Sequence, residues 1–317
     1  MLKRRSAIFK LLLTILVCTM FLGGCGEKTA AGPTDSVTFT DSLGRSVTVK
    51  RSPERVAALI GSFADVWRLA GGELCAVTED AEDFGIDMEG TDIIGGAHSP
   101  NVESLLAADP DFVIAGSNAA SNATLRELLE NAGITVAYFD VDSFEDYLAM
   151  LDICTDITGR KDLFAENGTK IAEKIAEIKA DMAKSPLSEE KRRVLLLRAT
   201  SGTVKAKGSE GTVLGEMLHE LGCVNIADSD TSLIESLSVE SVIRMAPYRI
   251  FVVTMGDDTE AAVSNVTRMM TENPAWGGLD AVGEGRLHVM EKRLFNLKPN
   301  AKWAESYEQL RDILLEK

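Results

Sequence analysis

The sequence predicts an α/β protein of two similar lobes, each built on a central, mostly parallel sheet, bridged by one long rigid helix. Three observations carry that prediction. Short apolar runs alternate with amphipathic segments along most of the chain. The phrase VESLLAADP at 102–110 returns as VESVIRMAP at 239–247, so that Glu103 and Glu240 stand 137 positions apart, each ahead of a Pro and an apolar run. That interval is too wide for a solenoid, whose repeats span roughly 20–50 residues, and it fits two domains of similar build. Between the copies lies a long segment with a single apolar face.

Residues 1–24 read as a secretory signal: Lys3, Arg4, Arg5 and Lys10 precede the apolar run Leu11–Leu22. The run is too short to span a bilayer comfortably, which takes roughly 20 apolar residues. Leu22-Gly23-Gly24-Cys25 resembles the bacterial lipobox, whose Cys is diacylated and becomes the mature N-terminus. An ordinary signal peptide cleaved nearby, with Cys25 incidental, is the alternative. Residues 25–36 then form the lipidated Cys and a small-residue tether, and no other covalent cofactor is expected. Loss of residues 1–24 removes four positive charges and no negative ones, taking the formal charge from −16 to −20. So acidic a chain argues against nucleic acid as a partner.

The N-terminal lobe is expected over 37–159. VTFT and SVTV flank Asp41-Ser42-Leu43-Gly44-Arg45 as an edge hairpin. Val56–Ile60, Leu74–Val77, Phe112–Ala115 and Val136–Phe139 read as buried strands. Phe63–Leu69, Val102–Ala108 and Leu125–Asn131 read as the helices between them. Over 160–185, Phe164, Ile171, Ile175, Ile178 and Met182 recur at steps of seven, four, three and four, which puts them on one helix face. Such a helix is roughly 35 Å long at 1.5 Å per residue. Gly168 weakens it by about 1 kcal/mol relative to Ala, and Pro186 ends it. The C-terminal lobe, 186–317, restarts the scheme: strands at Val194–Leu197, Ile250–Val253 and Leu287–Met290, and a helix at Val213–Leu221.

Catalytic signatures are missing. The sequence has no G-x-G-x-x-G, no P-loop and no G-x-S-x-G. The three histidines, His98, His219 and His288, are widely spaced, which makes a histidine-built metal site unexpected. Cys75, Cys154 and Cys223 lie in largely apolar stretches and read as three buried free thiols, with one disulfide and a free thiol as the alternative.

Taken in order, Asp41-Ser42-Leu43-Gly44-Arg45, Arg51-Ser52-Pro53-Glu54-Arg55-Val56, Gly61-Ser62-Phe63-Ala64-Asp65, Ser99-Pro100-Asn101-Val102-Glu103 and Asn273-Pro274-Ala275-Trp276 resemble the cobalamin and ferric-siderophore type of periplasmic binding protein, the class III substrate-binding proteins of ABC importers. The resemblance runs from about Val37 to Leu315. It implies a monomeric, lipid-anchored, extracytoplasmic protein that catalyses nothing. Such a protein delivers a ferric siderophore, haem or a corrinoid to a permease dimer with its ATPase. It implies further that Glu103 and Glu240 dock onto arginines of the two permease subunits. Helix chemistry offers a second reading, because Asn101 and Ser238 are good N-caps and a carboxylate in the first turn gains about 0.3–1 kcal/mol from the helix dipole.

Ligands of open α/β sheets bind beyond the carboxyl ends of the strands. The candidates there are Ser62 and Phe63, His98, and Ser117 beside Asn118 in the first lobe. In the second they are Arg198, Lys207, and Phe295, Asn296 and Lys298 within a basic stretch that also holds Lys292, Arg293 and Lys302. Trp67 and Trp303 fall on apolar helix faces and belong to the core. Two other functions stay open: an exported sensor lipoprotein that signals to a receptor, and a metallocofactor-related enzyme or assembly subunit of similar bilobed fold.

Overall fold

The computed structural model describes residues 35–117, 122–256 and 258–316. The signal segment, Cys25, the tether as far as residue 34 and Asn118 lie outside them.

β1 (Ser36–Thr40) and β2 (Ser46–Lys50) pair antiparallel as a two-stranded sheet of their own. Asp41 shapes the turn: its carboxylate accepts from the N–H groups of Leu43 and Arg45 and pairs with the Arg45 guanidinium at 2.6 Å. The N-terminal lobe proper is a parallel sheet in the order β5-β4-β3-β8-β9. Its strands are β3 (Val56–Ala58), β4 (Ala76–Val77), β5 (Asp92–Ile93), β8 (Phe112–Gly116) and β9 (Thr135–Phe139). The hairpin β6 (Gly95–Gly96) and β7 (Ser99–Pro100) stands beside it. β3 and β8 are buried at every position because helices cover both faces. α1 (Gly61–Leu69) and α4 (Phe144–Thr158) lie on one face, α2 (Val102–Ala107) and α3 (Asn122–Asn131) on the other.

After α4, which starts on a Ser143–Asp146 capping box and stops at left-handed Gly159, the chain stays helical from 161 to 183. The run comprises α5 (Lys161–Phe164), a π-helical turn (Ala165–Thr169) and α6 (Lys170–Ala183). Gly168 sits in the π turn, where an added Cβ would come within 3.1 Å of Leu148. Its missing side chain therefore lets the rod lie close on α4. The first half of the rod belongs to the N-terminal lobe: Asn167 Nδ2 donates to the Leu69 carbonyl at 2.9 Å, and Tyr147 donates to the Asn167 carbonyl at 2.8 Å. The second half reaches the other lobe through Lys179–Glu220 at 3.0 Å and Lys174–Glu308 at 3.1 Å.

The C-terminal lobe repeats the scheme as β11-β10-β13-β14. β10 (Arg193–Ala199), β13 (Arg249–Thr254) and β14 (Leu287–Val289) are parallel, while β11 (Val204–Lys207) returns antiparallel along β10, and the short β12 (Val224–Asn225) pairs with the start of β10. α7 (Val213–Glu220), α8 (Val239–Met245), α9 (Thr259–Glu272), α10 (Lys292–Phe295) and α11 (Trp303–Leu315) flank it.

One apolar core runs through both lobes. It joins Val56, Phe112 and Trp67 of the first to Val194, Leu196, Phe251 and Leu310 of the second, with Ile175, Ile178 and Met182 of α6 between them. Trp67 and Trp303 are both buried, and Trp303 meets Phe144 edge-on at 5.9 Å across the lobe boundary. A polar clasp closes the same boundary. Asn300 Nδ2 donates to the Ser62 carbonyl and to Asp65 Oδ2, both at 2.8 Å. Arg293 lies over the Phe84 ring, 4.1 Å from its centroid, and 3.5 Å from Asp65. Lys298 pairs with Asp142 at 2.7 Å. Burial pushes the Asp65 carboxyl above its ordinary range; Asn300 and Arg293 oppose the shift.

Candidate functional site

The second lobe offers a concavity beyond its strand ends, bordered on one side by a cluster of cations. In the antiparallel β10–β11 pair Arg198 stands directly opposite Lys205, and Lys207 follows two positions on. Directly opposed side chains share a face, so strand geometry places three cations together, where like charges repel. Burial pushes the Arg198 guanidinium below its usual range. The Lys207 ammonium is lowered by burial first and then by Arg198 and Lys205. Arg198 Nε is buried without a hydrogen-bond partner among the described residues.

Arg198 and Lys207 line a cavity of about 730 Å³ with Ser209, Thr212, His219 and Ile234. Its volume falls within the roughly 300–1,000 Å³ of small-molecule sites. Three acids line this cavity, Glu210, Glu216 and Asp228. Two of them hold its wall: Asp228 accepts from the Ser209 N–H at 2.8 Å and Glu216 from the Gly211 N–H at 3.2 Å. The 208–212 loop packs tightly on α7, since a Cβ on Gly215 would lie 2.4 Å from the Ser209 carbonyl oxygen. From the other lobe Asp142, already held by Lys298, is the charge that opposes the depression at Arg198.

The remaining sequence candidates do not line this cavity. Ser62 and Phe63 are 4% and 3% exposed, correcting the expectation that they face a cleft. The first turn of α1 lies against the backbone at Asp80, only 2.4 Å from where a Gly61 Cβ would stand, and this turns both side chains inward. Phe63 meets Phe139 edge-on at 6.3 Å. Phe295 is likewise core, at 2% exposure. The cations of the basic stretch around it are engaged by the protein's own groups. Lys292 donates to the Gly256 carbonyl, Arg293 to the carbonyls of Lys298 and Pro299, and Lys302 pairs with Glu305 at 3.8 Å. Asn296 ends α10, half-buried, with its N–H on the Lys292 carbonyl. His98 is exposed in the β6–β7 turn, and the Ser117 N–H closes β8 onto the Phe139 carbonyl at 2.9 Å. Cys154 and Cys223 are buried free thiols, both pushed up to about 12 by burial, whereas Cys75 is only half-buried. Among the described residues no three His, Cys, Asp or Glu side chains are placed to hold a metal ion.

Sequence reasoning missed Asp65, Asn300, Asp142 and the loop 208–212. The loop alone carried a signal, the turn-rich run Gly208-Ser209-Glu210-Gly211-Thr212.

The duplicated phrase is duplicated in atoms. Asn101 caps α2 by accepting from the Ser104 N–H at 3.0 Å; Ser238 caps α8 by accepting from the Ser241 N–H at 3.3 Å. Glu103 and Glu240 are the second residues of these helices, and both are exposed. Leu105 and Val242 point into the two outer cores. Asp109 and Ala246 both take the left-handed conformation, with φ of 47° and 44°, ahead of buried Pro110 and Pro247. Arg55, just before β3, donates to the Ala108 carbonyl, and Arg193, opening β10, donates to the Met245 carbonyl. The copies part after the Pro. Asp111 accepts from the N–H groups of Glu54 and Arg55, whereas Tyr248 lends its ring to Lys191, Arg249 and Arg286.

Comparison with known proteins places this architecture. A curated relative from Bacillus subtilis, the ABC transporter substrate-binding lipoprotein YvrC, which is itself uncharacterized, is 22% identical over 92% of this chain and 91% of its own. Staphylococcus aureus SirA, solved with staphyloferrin B, superposes with a TM-score of 0.67 at 21% identity, covering 88% of this chain and 97% of its own. The vitamin B12 binding protein BtuF of Vibrio cholerae superposes with a TM-score of 0.66 at 19% identity, covering 83% and 97%. The family model described as periplasmic binding protein matches residues 88–294, well over half of the sequence, and the chain belongs to that family.

Proposed function

We propose that this protein is the lipid-anchored substrate-binding component of an ABC importer and that it carries an anionic iron chelate. The observation that carries the ligand class is the set Arg198, Lys205 and Lys207 on one face of the β10–β11 pair, with Arg198 Nε unpartnered beside the cavity. An anion there would relieve the mutual repulsion of the three cations and satisfy Arg198 through charge-assisted hydrogen bonds. A ferric siderophore rich in carboxylates matches this chemistry best. Haem, with two propionates, offers less negative charge, and a corrinoid offers little. SirA supports the reading, since a staphyloferrin is its ligand. Arg198→Ala should therefore weaken binding of a carboxylate-type ferric siderophore by about 1.5–3 kcal/mol in a tryptophan-quenching titration. An unchanged dissociation constant would remove Arg198 from the site.

Glu103 and Glu240 are the residues proposed to engage arginines of the permease pair. Both are exposed, and each stands on a helix whose last turn is gripped by an arginine from the neighbouring strand. Changing both to Arg should abolish uptake in cells while leaving ligand affinity intact, because like charges facing each other across an interface cost several kcal/mol. As helix residues alone the two changes cost only about 1–2 kcal/mol each in melting experiments. Normal uptake by the folded double variant would reduce them to helix chemistry.

The anchor is proposed at Cys25, a reading supported by the signal pattern before it and by the lipoprotein name of the Bacillus relative. Cys25→Ala should release the protein from membranes or leave it as an unprocessed precursor, read by fractionation and palmitate labelling. A normally labelled, membrane-bound variant would sink the assignment.

A further inference from the structure

Each copy of the duplicated helix exposes a second side chain beside its glutamate. Leu106 is 39% exposed and Ile243 is 45% exposed. Each lies three residues after Glu103 or Glu240, the spacing that sets two side chains on one helix face. A single exposed aliphatic residue is ordinary on a protein surface. Here the exposure occurs twice, at the same place in a repeat whose other features serve the fold. The cap, the inward Leu105 or Val242, the left-handed stop, the buried Pro and the arginine grip all stabilise the helix. Leu106 and Ile243 add little burial to either lobe, so stability does not account for them.

We propose that Leu106 and Ile243 are paired apolar anchors of the permease-docking surface. Each would enter an apolar socket beside the cation that receives the neighbouring glutamate. The occupant is a partner with two equivalent halves, because the same carboxylate-and-aliphatic pair is offered once by each lobe and the continuous core fixes the lobes together. Charge complementarity selects a partner whose sockets are rimmed by arginine or lysine. The inference rests on the docking role proposed for the two glutamates, and the test separates the two.

The test is binding of the protein, with and without a carboxylate-type ferric siderophore, to the detergent-solubilised or nanodisc-held permease–ATPase complex, over a series of salt concentrations. Leu106→Gln and Ile243→Gln keep a good helix former at exposed positions and should leave melting temperature and ligand affinity unchanged. Each should weaken the complex about tenfold, and the pair about a hundredfold, with the salt dependence of the wild type retained. Glu103→Gln with Glu240→Gln should instead flatten the salt dependence. If the Leu106→Gln/Ile243→Gln protein binds like the wild type while the glutamine-for-glutamate protein is weakened, the anchors are refuted and the docking role stands. If neither pair of changes alters binding, both proposals fall.

Discussion

The apolar core that passes from one lobe into the other is the constraint on which the rest of the molecule depends. Val56, Phe112 and Trp67 on one side and Val194, Phe251 and Trp303 on the other belong to a single buried cluster, with α6 lying between them. Opening the lobes would expose part of that cluster, at roughly 25 cal/mol for each Å² of apolar surface returned to water. The Asp65–Asn300–Arg293 clasp adds directional contacts at the same boundary. Everything carried on the outer helices is therefore held at a fixed separation.

That constraint gives the duplicated phrase its meaning. A glutamate at the second position of a helix is ordinary, and one such helix would need no further account. Two of them share caps, stops and arginine grips, and each packs on the outer core of a lobe that one continuous inner core joins to the other. They form a rigid two-point template. The ligand side has a different logic, since the cation cluster belongs to one lobe and depends on β-register rather than on lobe arrangement. The other lobe contributes Asp142, which would compete with an incoming anion for Arg198 and favour ligands of higher negative charge.

Much of the fold was legible in the sequence because its signals are local. Continuous apolar runs such as Phe112–Ala115 and Ile250–Val253 mark buried parallel strands, and the spacing of Ile171, Ile175, Ile178 and Met182 marks the rod face. Asn101 and Ser238 cap the helices as their chemistry dictates. The site was harder. Arg198 and Lys207 were legible as cations near a strand end, but their alignment with Lys205 depends on the β10–β11 register. The basic stretch 292–302 misled because sequence gives the charges without their partners. Asp65, Asp142 and Glu305 neutralise three of them, and the first two lie more than 150 positions away. Phe63 and Phe295 turned inward for a similar reason, since the close approach at Gly61 and the packing of α10 are tertiary facts.

The most direct test of a rigid two-point template is the distance between its two points. Spin labels placed through Glu103→Cys and Glu240→Cys, in a Cys75→Ser background, report that distance by pulsed electron resonance. A rigid template gives one narrow distribution, moving by no more than about 1 Å when a ferric siderophore is added. A broad or two-peaked distribution, or a ligand-driven shift of several Å, would contradict it.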